Sequence, residues 1–145
     1  MNYPAKDLIN ALGVSMDVAS QVLTADANGA GVDLIDHESC MFVGLIGASG
    51  DTLSGSVYLE LEIEESVDNS TWTDAADADV RDVVVGTNPG TFALIDDPAE
   101  DVLVYKAQYV GKKRYARCVV NLTGTHTNGI PVAVLAIRGG KTEQP

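Results

Sequence analysis

The chain has 145 residues, 46% of them apolar, and a formal net charge of −12. That is enough chain for one domain with its own core, with no need of a disulfide or metal, and too apolar for a disordered segment. No run approaches the roughly 18 apolar residues of a membrane helix, and so acidic a chain is repelled by phosphate backbones, so neither a membrane nor a nucleic-acid partner is expected.

Met1-Asn2-Tyr3-Pro4-Ala5-Lys6-Asp7 lacks a basic stretch followed by an apolar one, so no secretory signal is expected and a cytosol is the expected compartment of synthesis. Residues 1–30 read as an extended arm with one short helical turn. Leu8, Ile9 and Leu12 fit that turn, while Gly13, Val14 and Val18 spoil its continuation. Thr24 to Gly31 is a small polar turn.

Strands then follow in quick succession. Val32 to Ile35 is short. Cys40 to Ile46 is apolar on both faces, the pattern of a central strand buried on both sides. Val57 to Glu64 alternates strictly: Val57, Leu59, Leu61 and Ile63 point to a core, and Glu60, Glu62 and Glu64 to a wet or interfacial face. Val80 to Val85 and Phe92 to Ile95 are separated by a turn at Asn88-Pro89-Gly90. Val102 to Val110 and Arg114 to Leu122 read as a hairpin about Gly111-Lys112. Asn128-Gly129 marks a tight turn before the last strand, Ile130 to Ile137. About eight strands with frequent turns and no long internal repeat predict an all-β fold, a β-sandwich or jelly-roll-like barrel over residues 31–140, with a tail at 141–145.

Catalytic arrangements are missing from the pattern. Gly47-Ala48-Ser49-Gly50-Asp51 lacks the second Gly of a nucleophile elbow, and His37 and His126 stand in turns with no spacing that joins them to a Ser or Asp. Cys40 and Cys118 sit in apolar runs and read as buried free thiols, too isolated for a zinc site. No phosphate loop, dinucleotide fingerprint or metalloprotease His pair is present, so no cofactor is expected. The acidic loops Asp74 to Asp79 and Asp96 to Asp101 cluster oxygens that calcium takes, without the EF-hand register; solvated loops are the preferred reading.

Charge is unevenly distributed. Residues 1–105 hold 20 acids and two bases, whereas residues 106–145 hold one acid and seven bases. Two readings stand: the basic strands neutralise acidic neighbours within the fold, or they form a patch for an acidic partner. On the second, Lys112, Lys113, Arg114 and Arg117 contribute to a subunit contact sensitive to salt.

Ser66-Val67-Asp68-Asn69-Ser70-Thr71-Trp72 resembles the Asp-box hairpin of sialidase-type propellers, present once, with Ser70 in place of the usual Gly and Trp72 one residue early. A structural hairpin built on Ser66, Asp68 and Trp72 is the preferred reading, a glycan-stacking Trp72 the alternative.

Glu65 to Asp74, Tyr109 to Arg117, the Ile130-Pro131-Val132-Ala133-Val134 strand followed by Gly139-Gly140, and Val32-Asp33-Leu34 after a polar turn carry a second likeness. Over residues 20–140 their spacing resembles small β proteins encoded among tailed-bacteriophage structural genes, the capsid decoration (cement) proteins. The resemblance implies a β-sandwich on the outer surface of an icosahedral head, made in the host bacterial cytoplasm. It implies a homo-oligomer, a trimer before a dimer, that bridges neighbouring major capsid subunits and has no catalytic residues. Two alternatives remain open: a tail, neck or head-fibre component, and a carbohydrate-binding module stacking sugars on Trp72, Tyr58, Tyr105, Tyr109 and Tyr115.

Overall fold

Short apolar runs cut by Gly, Asp and Asn turns fold into eleven strands among the residues, 6–141, that the computed structural model describes. They are β1 (Gly13–Leu23), β2 (Ala27–Asn28), β3 (Val32–Asp33), β4 (His37–Ile46), β5 (Tyr58–Ser66), β6 (Thr73–Asp74), β7 (Val80–Arg81), β8 (Thr91–Ile95), β9 (Val104–Tyr109), β10 (Tyr115–Thr123) and β11 (Ile130–Lys141). One sheet has the order β1-β11-β4-β9-β7. The second runs β2-β10-β5-β6, with β3 also on β10 and β8 also on β5. All pairings are antiparallel. The expected all-β sandwich is the architecture found.

The core lies between the sheets. Phe42 of β4, Leu59, Leu61 and Ile63 of β5, Ile95 of β8, Val120 of β10 and Val134 of β11 are each almost or wholly inaccessible. Gly44 of β4 faces this layer because a Cβ there would stand 2.5 Å from Leu61 Cδ1. Burying each such side chain contributes about 1.5–3 kcal/mol.

The chain changes sheet at nearly every connection, and β5–β6 is the one pair of successive described strands hydrogen-bonded to each other. This corrects the expected hairpin at Gly111-Lys112. β9 pairs with β4 and β7, β10 with β5, and the turn between them crosses from one sheet to the other.

The arm expected over residues 1–30 is also corrected. Residues 1–5 and 142–145 lie outside the described residues. Leu8–Ala11 forms the anticipated helical turn. From Gly13, however, the chain is an eleven-residue strand paired along β11, with Val18 and Leu23 in the core. The sandwich therefore begins at residue 13, and Lys141 still pairs with His37 at the end of β11.

Register shifts along β1 between Met16 and Val18 let Asp17 and Val18 both be buried. Asp17 reaches the other sheet. Its Oδ2 accepts from Cys118 N at 2.6 Å, and its Oδ1 from Gly31 N at 3.1 Å. Cys118 lies where β10 has lost β2 and not yet met β3, and Gly31 in the link between those two strands, so a carboxylate takes the place of a strand there. Gly29 packs against that carboxylate, since a Cβ there would fall 2.1 Å from Oδ2. Burial pushes the Asp17 carboxyl upward against the opposing pull of these N–H groups.

Only Val80–Arg81 of the expected Val80 to Val85 strand is sheet. Asp82 adopts φ 70°, and the chain turns away. Residues 83–88 then run beside the second sheet, where Val84 N donates to Thr91 O and Thr87 N to Glu60 Oε1. That strap corrects the expected wet face of β5, because Glu60 and Glu62 are only 3% and 2% exposed.

Candidate functional site

Side chains directly opposite each other across an antiparallel pair share a face, so register defines the outside of the first sheet. On β1 and β11, Val14 faces Ile137 and Met16 faces Leu135, while Val22 faces Pro131. On β4, Met41 faces Ile137, Val43 faces Leu135 and Leu45 faces Ala133. On β9, Gln108, Lys106 and Val104 stand beside Met41, Val43 and Leu45. Four adjacent strands thus turn an almost wholly apolar surface away from the core, with Lys106 and Gln108 at one side.

β4 was expected to be buried on both sides. Its inner residues Cys40, Phe42 and Ile46 are buried, but Met41 and Val43 are half-exposed and Leu45 is exposed, because none of the described residues lays a second layer over that side of the sheet. Val14, Met16, Val22, Leu45 and Val104 are between 40% and 63% exposed. Together they present on the order of 500 Å² of apolar surface, at the upper end of the largest patch on a typical monomer. At one end the face dips into a notch of about 220 Å³ whose lining includes Leu12, Met41, Gln108, Ile137 and Gly139. A broad apolar sheet with a notch can seat a protein surface by dehydration; it offers no acid–base pair, nucleophile or phosphate cradle.

The basic residues singled out by sequence are brought together at one end of the sandwich. Lys113 Nζ is 3.1 Å from Glu65 Oε1, Arg114 is bidentate on Asp33, and Arg117 Nε donates to Glu64 Oε2 at 2.7 Å. The guanidinium of Arg117 also stacks 4.4 Å over the Trp72 ring. Three of the four cations therefore neutralise acids of the fold, while Lys112 stands exposed at the turn. The Arg114 pair holds the Asp33 carboxyl below its usual range. A cleft of about 320 Å³ opens beside this turn between Ile35, His37, Tyr109 and Lys112.

The Ser66–Trp72 segment is the expected structural hairpin and joins β5 to β6. Ser66 Oγ accepts from Asp68 N and Asn69 N. Asp68 Oδ1 accepts from Ser70 N, Thr71 N and the Ser66 hydroxyl, and these bonds, Thr71 N foremost, hold its pKa low. Asn69 takes φ 58° at the tip. Trp72 is half-buried beneath Arg117 rather than presented as a flat sugar platform. Tyr109 is buried, its hydroxyl donating to Glu65 Oε2 at 2.6 Å.

The other candidates are structural in their contacts. His126 is buried, with Nε2 between Tyr58 O and Thr123 O at 3.2 and 3.0 Å. Cys40 and Cys118 are buried free thiols. In the loop from Asp96 to Asp101, Asp97 and Glu100 form a reciprocal cap on a 3₁₀ turn, and Asp101 accepts from Ser49 N, so backbone N–H groups occupy its oxygens. The sequence reading does not anticipate the apolar outer face, although its signal is present: β4, β11 and β1 are apolar at positions where an amphipathic strand would be polar. No family model matches the chain, and neither a curated protein nor a solved structure matches it.

Proposed function

We propose that this chain is a structural protein of a tailed-phage virion, which seats on the outer capsid surface and bridges neighbouring major capsid subunits as a homo-oligomer. The observation that carries the reading is the apolar face of the first sheet, which the described residues leave uncovered. A patch on the order of 500 Å² is at the upper end of what a typical monomer exposes, and patches of that size are often functional interaction sites. A standard stable interface takes about 800 Å² from each partner, so this face by itself makes a modest contact. A shell offers many copies of the same site, and an oligomer that engages several at once gains through effective concentration. The resemblance in motif spacing to capsid decoration proteins supports the shell as that surface. The net charge of −12 keeps the free protein soluble and away from packaged nucleic acid. A trimer is the expected form, with the basic turn at Lys112 free for a secondary contact.

The test is to mix the purified protein with undecorated capsids and image the particles. Saturable extra density that follows the icosahedral symmetry supports the reading. Density confined to a tail or neck moves the protein to that part of the particle, and no density on any part of the particle refutes a virion role.

A further inference from the structure

The second sheet carries a carboxylate group that docking by the first does not use. Glu62 and Glu64 alternate with Leu61 and Ile63 on β5 and so project to the outer side. β6 lies beside them with Asp74 opposite Glu64. One carboxylate oxygen from each of Glu62, Glu64 and Asp74 lies within 4.8 Å of the other two. Two oxygens on opposite sides of a calcium ion, each at about 2.4 Å, stand about that far apart, so the three fit within one coordination sphere.

Glu62 distinguishes this group from an ordinary solvated acidic surface. It is 2% exposed, and its Oε2 has no hydrogen-bond partner. Burial first, then the charges of Asp74 and Glu64, push the Glu62 carboxyl upward. The side chains of Asn121 and Asn88 oppose that shift by favouring the charged carboxylate. A buried carboxylate with an unserved oxygen, grouped with two further acids, is an arrangement that a cation resolves.

The neighbouring charges agree. Both contacts from Arg117 go to Glu64 Oε2, at 2.7 Å from Nε and 2.5 Å from Nη2, so Glu64 Oε1 is outside that pair. Three carboxylates against one guanidinium leave two negative charges uncompensated. The three differ in exposure: Glu62 is buried, Glu64 half-buried and Asp74 exposed.

We propose that Glu62, Glu64 and Asp74 bind a hard divalent cation of calcium size, with water completing the shell. The donors are all oxygen, which suits calcium and not zinc or copper. Three protein ligands instead of six or seven place the affinity at the weak end of calcium sites, about 0.1–1 mM. An ion there ties β6, which pairs with β5 at only two positions, to the sheet and relieves the repulsion along β5.

The experiment is calorimetric titration of calcium chloride into the chelator-treated full chain, alongside Asp74→Asn and Glu62→Gln. One saturable site per chain is expected, weakened at least about tenfold in each variant, with magnesium binding more weakly. Asp74 is exposed, so D74N tests the site without endangering the fold, which its unfolding midpoint in chelator verifies. No saturable binding up to about 10 mM calcium overturns the proposal. So does binding that D74N and E62Q leave unchanged.

Discussion

Replacing Asp17 by Ala removes the group that joins the bulge of β1 to the stretch of β10 between its pairings with β2 and β3. The donors Cys118 N and Gly31 N then lose their acceptor in a space that a methyl group does not fill. An orphaned buried donor such as Cys118 N costs about 1–3 kcal/mol, and the half-buried Gly31 N costs less. Releasing a buried carboxylate returns part of its desolvation penalty. The net loss is about 2–4 kcal/mol, a large share of the 5–15 kcal/mol that holds a domain together. For a domain of this size it lowers Tm by roughly 5–15 °C. Urea unfolding at pH 7 measures it. Asp17→Asn keeps one acceptor oxygen but turns an NH₂ toward the other donor, so it falls between wild type and D17A. A D17A midpoint equivalent to within about 0.5 kcal/mol of wild type refutes the reasoning, because it means that water or relaxation serves both donors without cost.

Gly44→Ala drives a Cβ to 2.5 Å from Leu61 Cδ1 and costs about 1–3 kcal/mol in the same unfolding assay. The thiols resist disulfide reagents in the native protein and react on unfolding, since burial pushes Cys40 up to about 12 and Cys118 well above the ordinary range. Stability peaks in mild acid. Asp17 and Glu62 have raised pKa values, so their contribution is full below the unfolded values of 3.8 and 4.5 and is lost as pH rises through the folded ones. Asp33, Asp51 and Asp68 are lowered, by Arg114 and by backbone N–H groups of Asn128 and Thr71, so their contribution is lost as pH falls below 3.8. Urea midpoints across pH 3 to 8 trace that maximum, and D17N flattens its neutral side.

Local pattern was legible where one side of a strand was apolar. The alternation on β5 predicts its core residues, and Ser66 to Trp72 predicts its own hairpin because all its bonds lie within the segment. What depended on distant partners was not legible. Val14, Met16 and Val18 share a period, but the irregular register at Asp17 sends Val18 inward while Val14 and Met16 stay outside. The glutamates of β5 look solvated until residues 83–88 fold over them. The turn at Gly111-Lys112 looks like a hairpin because turn chemistry does not say which sheet comes next. The apolar outer face of β4 was visible as a run from Cys40 to Ile46, yet a run apolar on both sides looks the same whether its cover comes from the chain itself or from another molecule.

The proposed docking role of the apolar face is tested most directly by capsid binding of Val14→Glu/Val104→Glu beside Lys112→Glu, at low and high salt. Val14 and Val104 are 60% and 63% exposed, at opposite sides of the face, so both charges are tolerated by the fold. The account predicts that the double variant folds and loses at least about tenfold in affinity, while K112E changes it little and salt leaves wild-type binding largely intact. Full binding by the double variant, with loss in K112E and in high salt, contradicts it and places the contact on the basic turn.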